Sequence, residues 1–378
     1  MTRVTSVAAV LLATVLVGCG DSSPTSAVPR RLDLVIILDG LRPDYVGQAM
    51  PTLAALGRRG VVMRSHHAVY PTVTRVNAAS LSTGAYPERH GLLGNSVYVP
   101  AVDEAAFLDT SDRDSLLRIE AAGEPLLTAT TLGEVLAGAG ARLLVASAGS
   151  PGSSYLLNHT PEGGAILHYD YSRPASLHAQ ALDVLGPVPE ADVPNWRRNR
   201  WVVDGLLDVA MPEVDPDVVV LWLSDPDTTA HRHGVGHQRM SEALFYLDAE
   251  LDRIQAWLSA EGRLESTNIW VTSDHGFSEH TGAVDLDALL EPFQRTLDDG
   301  TLRIVAGAGA IYVRDGDEAT IRQIVDVLQV TEGVGAVFTG AATPGDAAGA
   351  IPGTLSFDVA RWGHPRASQV LFSADWTD

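Results

Sequence analysis

The chain has 378 residues, 46% of them hydrophobic and 19% charged. That composition excludes an intrinsically disordered chain and a membrane-embedded bundle. A formal net charge of −21 sets bulk electrostatics against nucleic-acid polymers and anionic membrane surfaces. An anionic substrate would need a local positive centre; with 12 histidines and no lysine in the chain, a metal ion is the candidate to supply it.

In chain order, the first segment is "MTRVTSVAAVLLATVLVGCG". Arg3 gives a basic start, Val7 to Val17 an apolar stretch too short for a permanent span, and the layout is that of a secretory signal. Leu16-Val17-Gly18-Cys19 resembles a bacterial lipobox, and Cys19 is the single cysteine of the chain. The expectation is an exported protein, lipidated at Cys19 and anchored in the bacterial cell envelope. Residues 20–31 then form a flexible tether.

From residue 32 to the end the sequence reads as one domain. "LDLVIILDG" (Leu32 to Gly40) is a β-rich run ending in Asp39-Gly40. Pro51 to Gly60 reads as a helix, and "VVMRSHHAVY" (Val61 to Tyr70) as strand-like. A helix starts at Asn77 and stops at Gly84. "TLGEVLAGAG" reads as a helix, "ARLLVASAG" as a strand, and Trp196 to Val209 as a helix leading into "VDPDVVVLWLSDPD". Ser241 to Ala260 is a long amphipathic helix, followed by "NIWVTSDHG". Continuous apolar strands separated by helices predict an α/β fold: a three-layer sandwich with a mostly parallel sheet covered on both faces. About residues 285–353 the texture changes to a small α+β insertion, with strands in "LRIVAGAGAIYVRD" and a helix near Glu318 to Leu328.

Three of the apolar runs end in acids: Asp39, the pair Asp225 and Asp227, and Asp274. The carboxyl ends of parallel strands are where α/β sheets bind ligands. Acids delivered to one edge repel unless a cation lies between them. Histidines accompany two of these runs. His275 follows Asp274, and His231 lies four after Asp227, a spacing that puts both on one helical face. Oxygen and imidazole donors together suit zinc or another first-row ion better than calcium or magnesium. The hydroxyl-rich stretch "AVYPTVTRVNAASLSTG" precedes a helix, and a hydroxyl there could act as a nucleophile near a metal.

These residues resemble the alkaline phosphatase superfamily and, within it, the nucleotide pyrophosphatase/phosphodiesterase branch. The motifs occur in order: Asp39-Gly40 then "LRPDY"; "TRVNAASLSTGAYPERHGLLGN" with Thr74, Asn77 and His90-Gly91; "PDTTAH"; and "SDHG". The resemblance implies two zinc ions. One is held by Asp39, Asp274 and His275 and touches Thr74; the other is held by Asp227, His231 and a further histidine. It implies that Thr74 attacks phosphorus to form a phosphothreonine. It also implies that the Asn77 side chain and the Arg75 backbone N–H hold a phosphoryl oxygen. Arg75 stands where many relatives have Phe, so its side chain joins the expected substrate-binding residues. Ala230 replaces the usual Gly before His231. The family's last zinc histidine follows a strand of the type "HPRASQVLFSADW", and the chain stops at Asp378, short of it. The expectation is a sequence truncated at its C-terminus, with His364 a poor candidate for that ligand.

The expected substrate is a small phosphate diester or nucleotide-type pyrophosphate. Phosphomonoester or phosphonate hydrolysis is the alternative within the superfamily. A non-catalytic, surface-anchored binding lipoprotein is the alternative of another class. The sulfatase branch is rejected, because Thr74-Arg75-Val76-Asn77 does not fit its Cys/Ser-x-Pro-x-Arg motif. Specificity is expected in Tyr98 to about Pro194 and in the insertion. The aromatic and arginine residues of "YDYSRP" and "NWRRNRW" are read chiefly as core and surface.

Overall fold

The computed structural model describes residues 31–377 apart from 48, 161 and 163; the signal segment, Cys19 and nearly all of the tether lie outside the described residues. The central sheet has six strands: β1 (Leu32–Leu38), β2 (Leu143–Ser147), β3 (Gly164–His168), β4 (Ser172–Arg173), β5 (Val218–Leu223) and β6 (Thr267–Thr272). Their order is β4-β3-β2-β5-β1-β6. All pairings are parallel except that of the short β4 with β3.

β1 is a run of β-branched and leucine side chains because both of its faces are covered. Leu34, Ile36 and Leu38 face a cluster that includes Leu206, Leu244, Leu247, Leu251 and Ile254. Ile37 faces the opposite cluster with Ala78, Ala79, Tyr155, Leu156 and Trp222. Each such fully buried side chain contributes about 1.5–3 kcal/mol of transfer free energy.

Helices frame the two sheets. α1 is Pro51–Arg59, α2 Thr74–Thr83, α3 Leu132–Gly138 and α4 Pro151–Leu157. α5 is Trp196–Asp204, α6 Asp227–His233, α7 Gln238–Ala260 and α8 Glu318–Leu328. α2 and α4 cover one face of the central sheet; α5 and α7 cover the other. A second sheet is formed by β7 (Ile304–Gly307), β8 (Ala310–Val313), β9 (Val334–Thr339), β10 (Leu355–Ser356) and β11 (Val370–Ala374), in the order β7-β8-β11-β9-β10. α8 packs on it through Ile324, Val325 and Leu328.

The elements differ from the sequence reading in four places. α2 starts at Thr74, not Asn77, and Gly84 closes it in the left-handed conformation at φ 63°. Val61 to Tyr70 forms no strand: Val61, Val62 and Met63 are exposed, and β-type residues without a partner strand stay irregular. The helix expected to run to Val209 turns to π geometry over Gly205–Ala210. There a Cβ on Gly205 would come within 2.8 Å of Leu167. The small domain also does not end near residue 353, because β11 lies at the centre of its sheet. Among the described residues no helix is long and apolar enough to cross a membrane.

Candidate active site

The register of the sheet brings the acids together. Leu38 is level with Leu223, and Ile37 with Thr272, so the next residues out of β1, β5 and β6 emerge side by side at the carboxyl edge. Asp39 and Asp274 are both buried there. Asp227 is the first residue of α6, and its N–H donates to the Asp39 carbonyl at 2.9 Å. Gly40 makes that approach possible. Its φ is +70°, and a Cβ on it would lie 2.9 Å from the Asp227 Cβ.

Thr74, the first residue of α2, is buried with its Oγ1 3.1 Å from His275 Nε2. The His275 Nδ1 lies 2.7 Å from the Gly276 carbonyl. A carbonyl can only accept, so Nδ1 carries the proton and Nε2 presents a lone pair. That nitrogen is 3.2 Å from Asp274 Oδ2 and 3.7 Å from Asp39 Oδ1. The other oxygens of the pair are braced: Trp222 Nε1–H donates to Asp39 Oδ2 at 3.0 Å, and the Gly40 N–H to Asp274 Oδ1 at 3.2 Å.

Asp39 Oδ1, Asp274 Oδ2 and Asp227 Oδ1 are buried without a hydrogen-bond partner. Orphaned buried carboxylate oxygens are costly. Burial, followed by the charges of Asp274 and Asp227, holds the Asp39 carboxyl well above its ordinary range. Burial likewise pushes Asp274 up to about 7. Asp39, Asp274 and His275 offer donor atoms all within 4.8 Å of one another. Two unpartnered hard oxygens and the imidazole nitrogen that meets the Thr74 hydroxyl converge, and that donor set fits a divalent first-row cation. Asp227 and His231 are less built. Their closest atoms are 3.5 Å apart, and the His231 side chain is 70% exposed, with its ring edge-on to Phe277.

The remaining acid at this edge, Asp225, is occupied. It accepts from the Asn195 N–H, the Asn199 amide and the Thr229 hydroxyl, so it fixes the exit of β5 rather than facing the cluster. His364 bonds the Thr128 hydroxyl and the Arg366 N–H and rests on Gly91, so both of its ring nitrogens are engaged away from the carboxylates.

The two phosphoryl-oxygen donors implied by the resemblance are committed elsewhere. The Asn77 amide accepts from the Val69 N–H and donates to the Val69 and Val73 carbonyls. It braces the loop that leads into Thr74. The Arg75 N–H donates to Asn95 Oδ1 at 3.0 Å. Asn95 is a residue that sequence reasoning does not single out, although it ends the motif stretch that begins at Thr74. The Thr110 N–H and hydroxyl fix its carbonyl. Its Oδ1 is thus pinned at the first turn of α2, on the residue that follows Thr74.

Among solved structures, the chain is similar to phosphonoacetate hydrolase from Sinorhizobium meliloti 1021 (TM-score 0.62, 22% identity, 92% of this chain and 81% of that one). It is also similar to murine ectonucleotide pyrophosphatase/phosphodiesterase 5 in complex with AMP (TM-score 0.60, 17% identity, 92% and 79%). At these identities the likeness is one of fold. Curated relatives include venom phosphodiesterase 2 of Crotalus adamanteus, 27% identical over 65% of this chain and 27% of the relative. Bis(5′-adenosyl)-triphosphatase ENPP4 of Bos taurus is 27% identical over 77% of this chain and 57% of the relative. The chain thus spans between about a quarter and somewhat over half of these relatives' lengths. Over residues 34–376 it matches the family model of type I phosphodiesterase / nucleotide pyrophosphatase, and the chain belongs to that family.

Proposed function

We propose that the protein is a metal-dependent phosphoric ester hydrolase that cleaves small diester and pyrophosphate substrates with Thr74 as nucleophile. The observation that carries this reading is the Thr74 hydroxyl, set at the start of α2 against His275 and the unpartnered oxygens of Asp39 and Asp274. The names of the curated relatives, a phosphodiesterase and a triphosphatase, support the substrate class.

Zinc is the proposed cofactor: Asp39, Asp274 and His275 would hold one ion, and Asp227 and His231 would contribute to a second. Bound there, such ions would neutralise the carboxylates and acidify the Thr74 hydroxyl. The chain's own residues do the rest. Loss of the hydroxyl proton to solvent leaves an Oγ1 alkoxide oriented by the first turn of α2. Oγ1 bonds to phosphorus as the bond to the leaving oxygen breaks, and that oxygen takes a proton from solvent. The Asn95 NH2 holds a non-bridging oxygen as charge builds on it. Water then cleaves the phosphothreonine, giving its hydroxyl to phosphorus and a proton to Thr74 Oγ1.

The test is turnover of bis-p-nitrophenyl phosphate and p-nitrophenyl phosphate by zinc-loaded protein lacking residues 1–19, beside its Thr74→Ala variant. Diester turnover that falls by about 1,000-fold or more in Thr74→Ala is expected. Preference for the monoester would move the reading to a phosphatase. Absence of turnover with zinc bound would sink the enzyme reading and leave the binding lipoprotein, which the comparisons do not support. Export and lipid anchoring at Cys19 belong to the same proposal; incorporation of labelled palmitate that is lost in Cys19→Ser would support them.

A further inference from the structure

Beside the nucleophile lies a cation that the mechanism does not use. Arg75 follows Thr74 in the first turn of α2. Its side chain is half-buried, and its Nε is buried without a hydrogen-bond partner. It feels the charges of Asp109, Asp39, Asp227 and Asp274, yet among the described residues it forms no ion pair with any of them. Asp109, which exerts the strongest pull, is turned to Ser111, whose N–H and hydroxyl it accepts. The other arginine at this edge, Arg42, is used: it binds Asp44 and the Phe277 carbonyl.

A partly desolvated guanidinium left unpaired next to acids needs an anion from elsewhere. The acids beside it are the same ones whose geometry suits a cation, so they are not free to become its partner. The substrate is the remaining source of negative charge. A simple diester brings one negative charge, which the nucleophile's site already takes. A pyrophosphate linkage brings a second phosphate next to the reacting one, and a planar five-donor fork matches its oxygens.

We propose that Arg75 is a specificity-determining residue that binds a second phosphate adjacent to the reacting phosphorus. The protein thereby favours nucleoside diphosphate-type substrates over diesters with an uncharged second group. This rests on the functional reading above for where phosphorus sits.

The test compares full-length wild type, Arg75→Leu and Arg75→Lys on ADP and on the p-nitrophenyl ester of AMP. The ratio of kcat/KM values is expected to shift against ADP by about 30-fold in Arg75→Leu. Arg75→Lys should recover part of that shift, since it keeps the charge but loses the fork. Melting curves verify that the variants fold. Equal losses on both substrates would overturn the proposal, because they would mark a structural role. A second readout does not need turnover: calorimetric binding of ADP to zinc-loaded Thr74→Ala, with and without Arg75→Leu. Weakening by about 30-fold supports the inference, whereas unchanged affinity, or no ADP binding at millimolar concentration, overturns it. If wild type turns over neither substrate, the hydrolase reading fails and the specificity claim falls with it, and ADP binding that weakens in Arg75→Leu would then support only a phosphate contact at Arg75.

Discussion

Two asparagines flank Thr74 with different duties. Asn77 commits its whole amide to the Val69 and Val73 backbone, whereas Asn95 ties only its oxygen, to the Arg75 N–H. Truncating them should therefore separate stability from catalysis. Asn77→Ala leaves buried backbone groups unpaired and should cost about 1–3 kcal/mol in denaturant unfolding. Asn95→Ala should unfold close to wild type but lose about 100-fold in kcat on diester substrate, as removal of a donor to a developing anion does. The opposite pattern would return the phosphoryl contact to Asn77.

At the scale of elements, the site depends on how closely β1 and α6 approach. Gly40 turns the chain out of β1 with its Cα side against Asp227. Gly40→Ala adds a left-handed strain and a clash with backbone-anchored atoms, worth roughly 2 kcal/mol or more. Metal affinity should fall along with stability, because the displaced residue is a proposed ligand; a variant with unchanged zinc affinity would show that Asp227 is not one. The same elements show what the sequence could reveal. Asp39, Asp274 and His275 were legible because strand-end acids in a parallel sheet converge by register, and the period of the pattern fixes that register. Thr74 was singled out through its motif, and it lies beside His275. Asn95 was not, because its role depends on a hydrogen bond across 20 residues to a backbone N–H, and no periodicity reports that. Val61 to Tyr70 looked like a strand from its residues alone, since propensity does not say whether a partner edge exists. β11 was assigned away from the small domain because strand order in a sheet is set by long-range pairing.

For the molecule as a whole, pH reports on the carboxylate cluster. In the folded chain Asp39 and Asp274 are raised, Asp274 to about 7, above unfolded values near 4. The folded state then holds more protons than the unfolded one, and stability falls as pH rises through that window. His90 and His168, buried and lowered to about 4, act oppositely, but their opposing slope is halved near pH 6.5, where the unfolded imidazole is half titrated, and fades about one unit above it. Chelated protein should therefore lose stability as pH rises through about 7, on the order of 1 kcal/mol, and Asp274→Asn should flatten the slope. With zinc the slope should reverse, because metal displaces these protons. Thermal melts across that range, with and without chelator, check all three.

The cluster also joins distant parts of the chain. Gly40 and Asp274 are 234 residues apart in sequence, one leaving β1 and the other its neighbour, the edge strand β6. A cation shared by Asp39 and Asp274 would close a loop of more than half the polypeptide, as a covalent cross-link would. It would restrict the unfolded chain's freedom only weakly more than a shorter loop does, because that entropy grows with the logarithm of length. Its larger effect would be local. β6 has a sheet neighbour on one side only, among the described residues, and the ion would fasten that strand's exit to the exit of β1 beside it. The chemistry that serves the substrate would then double as the rivet that keeps the last strand of the parallel sheet in place.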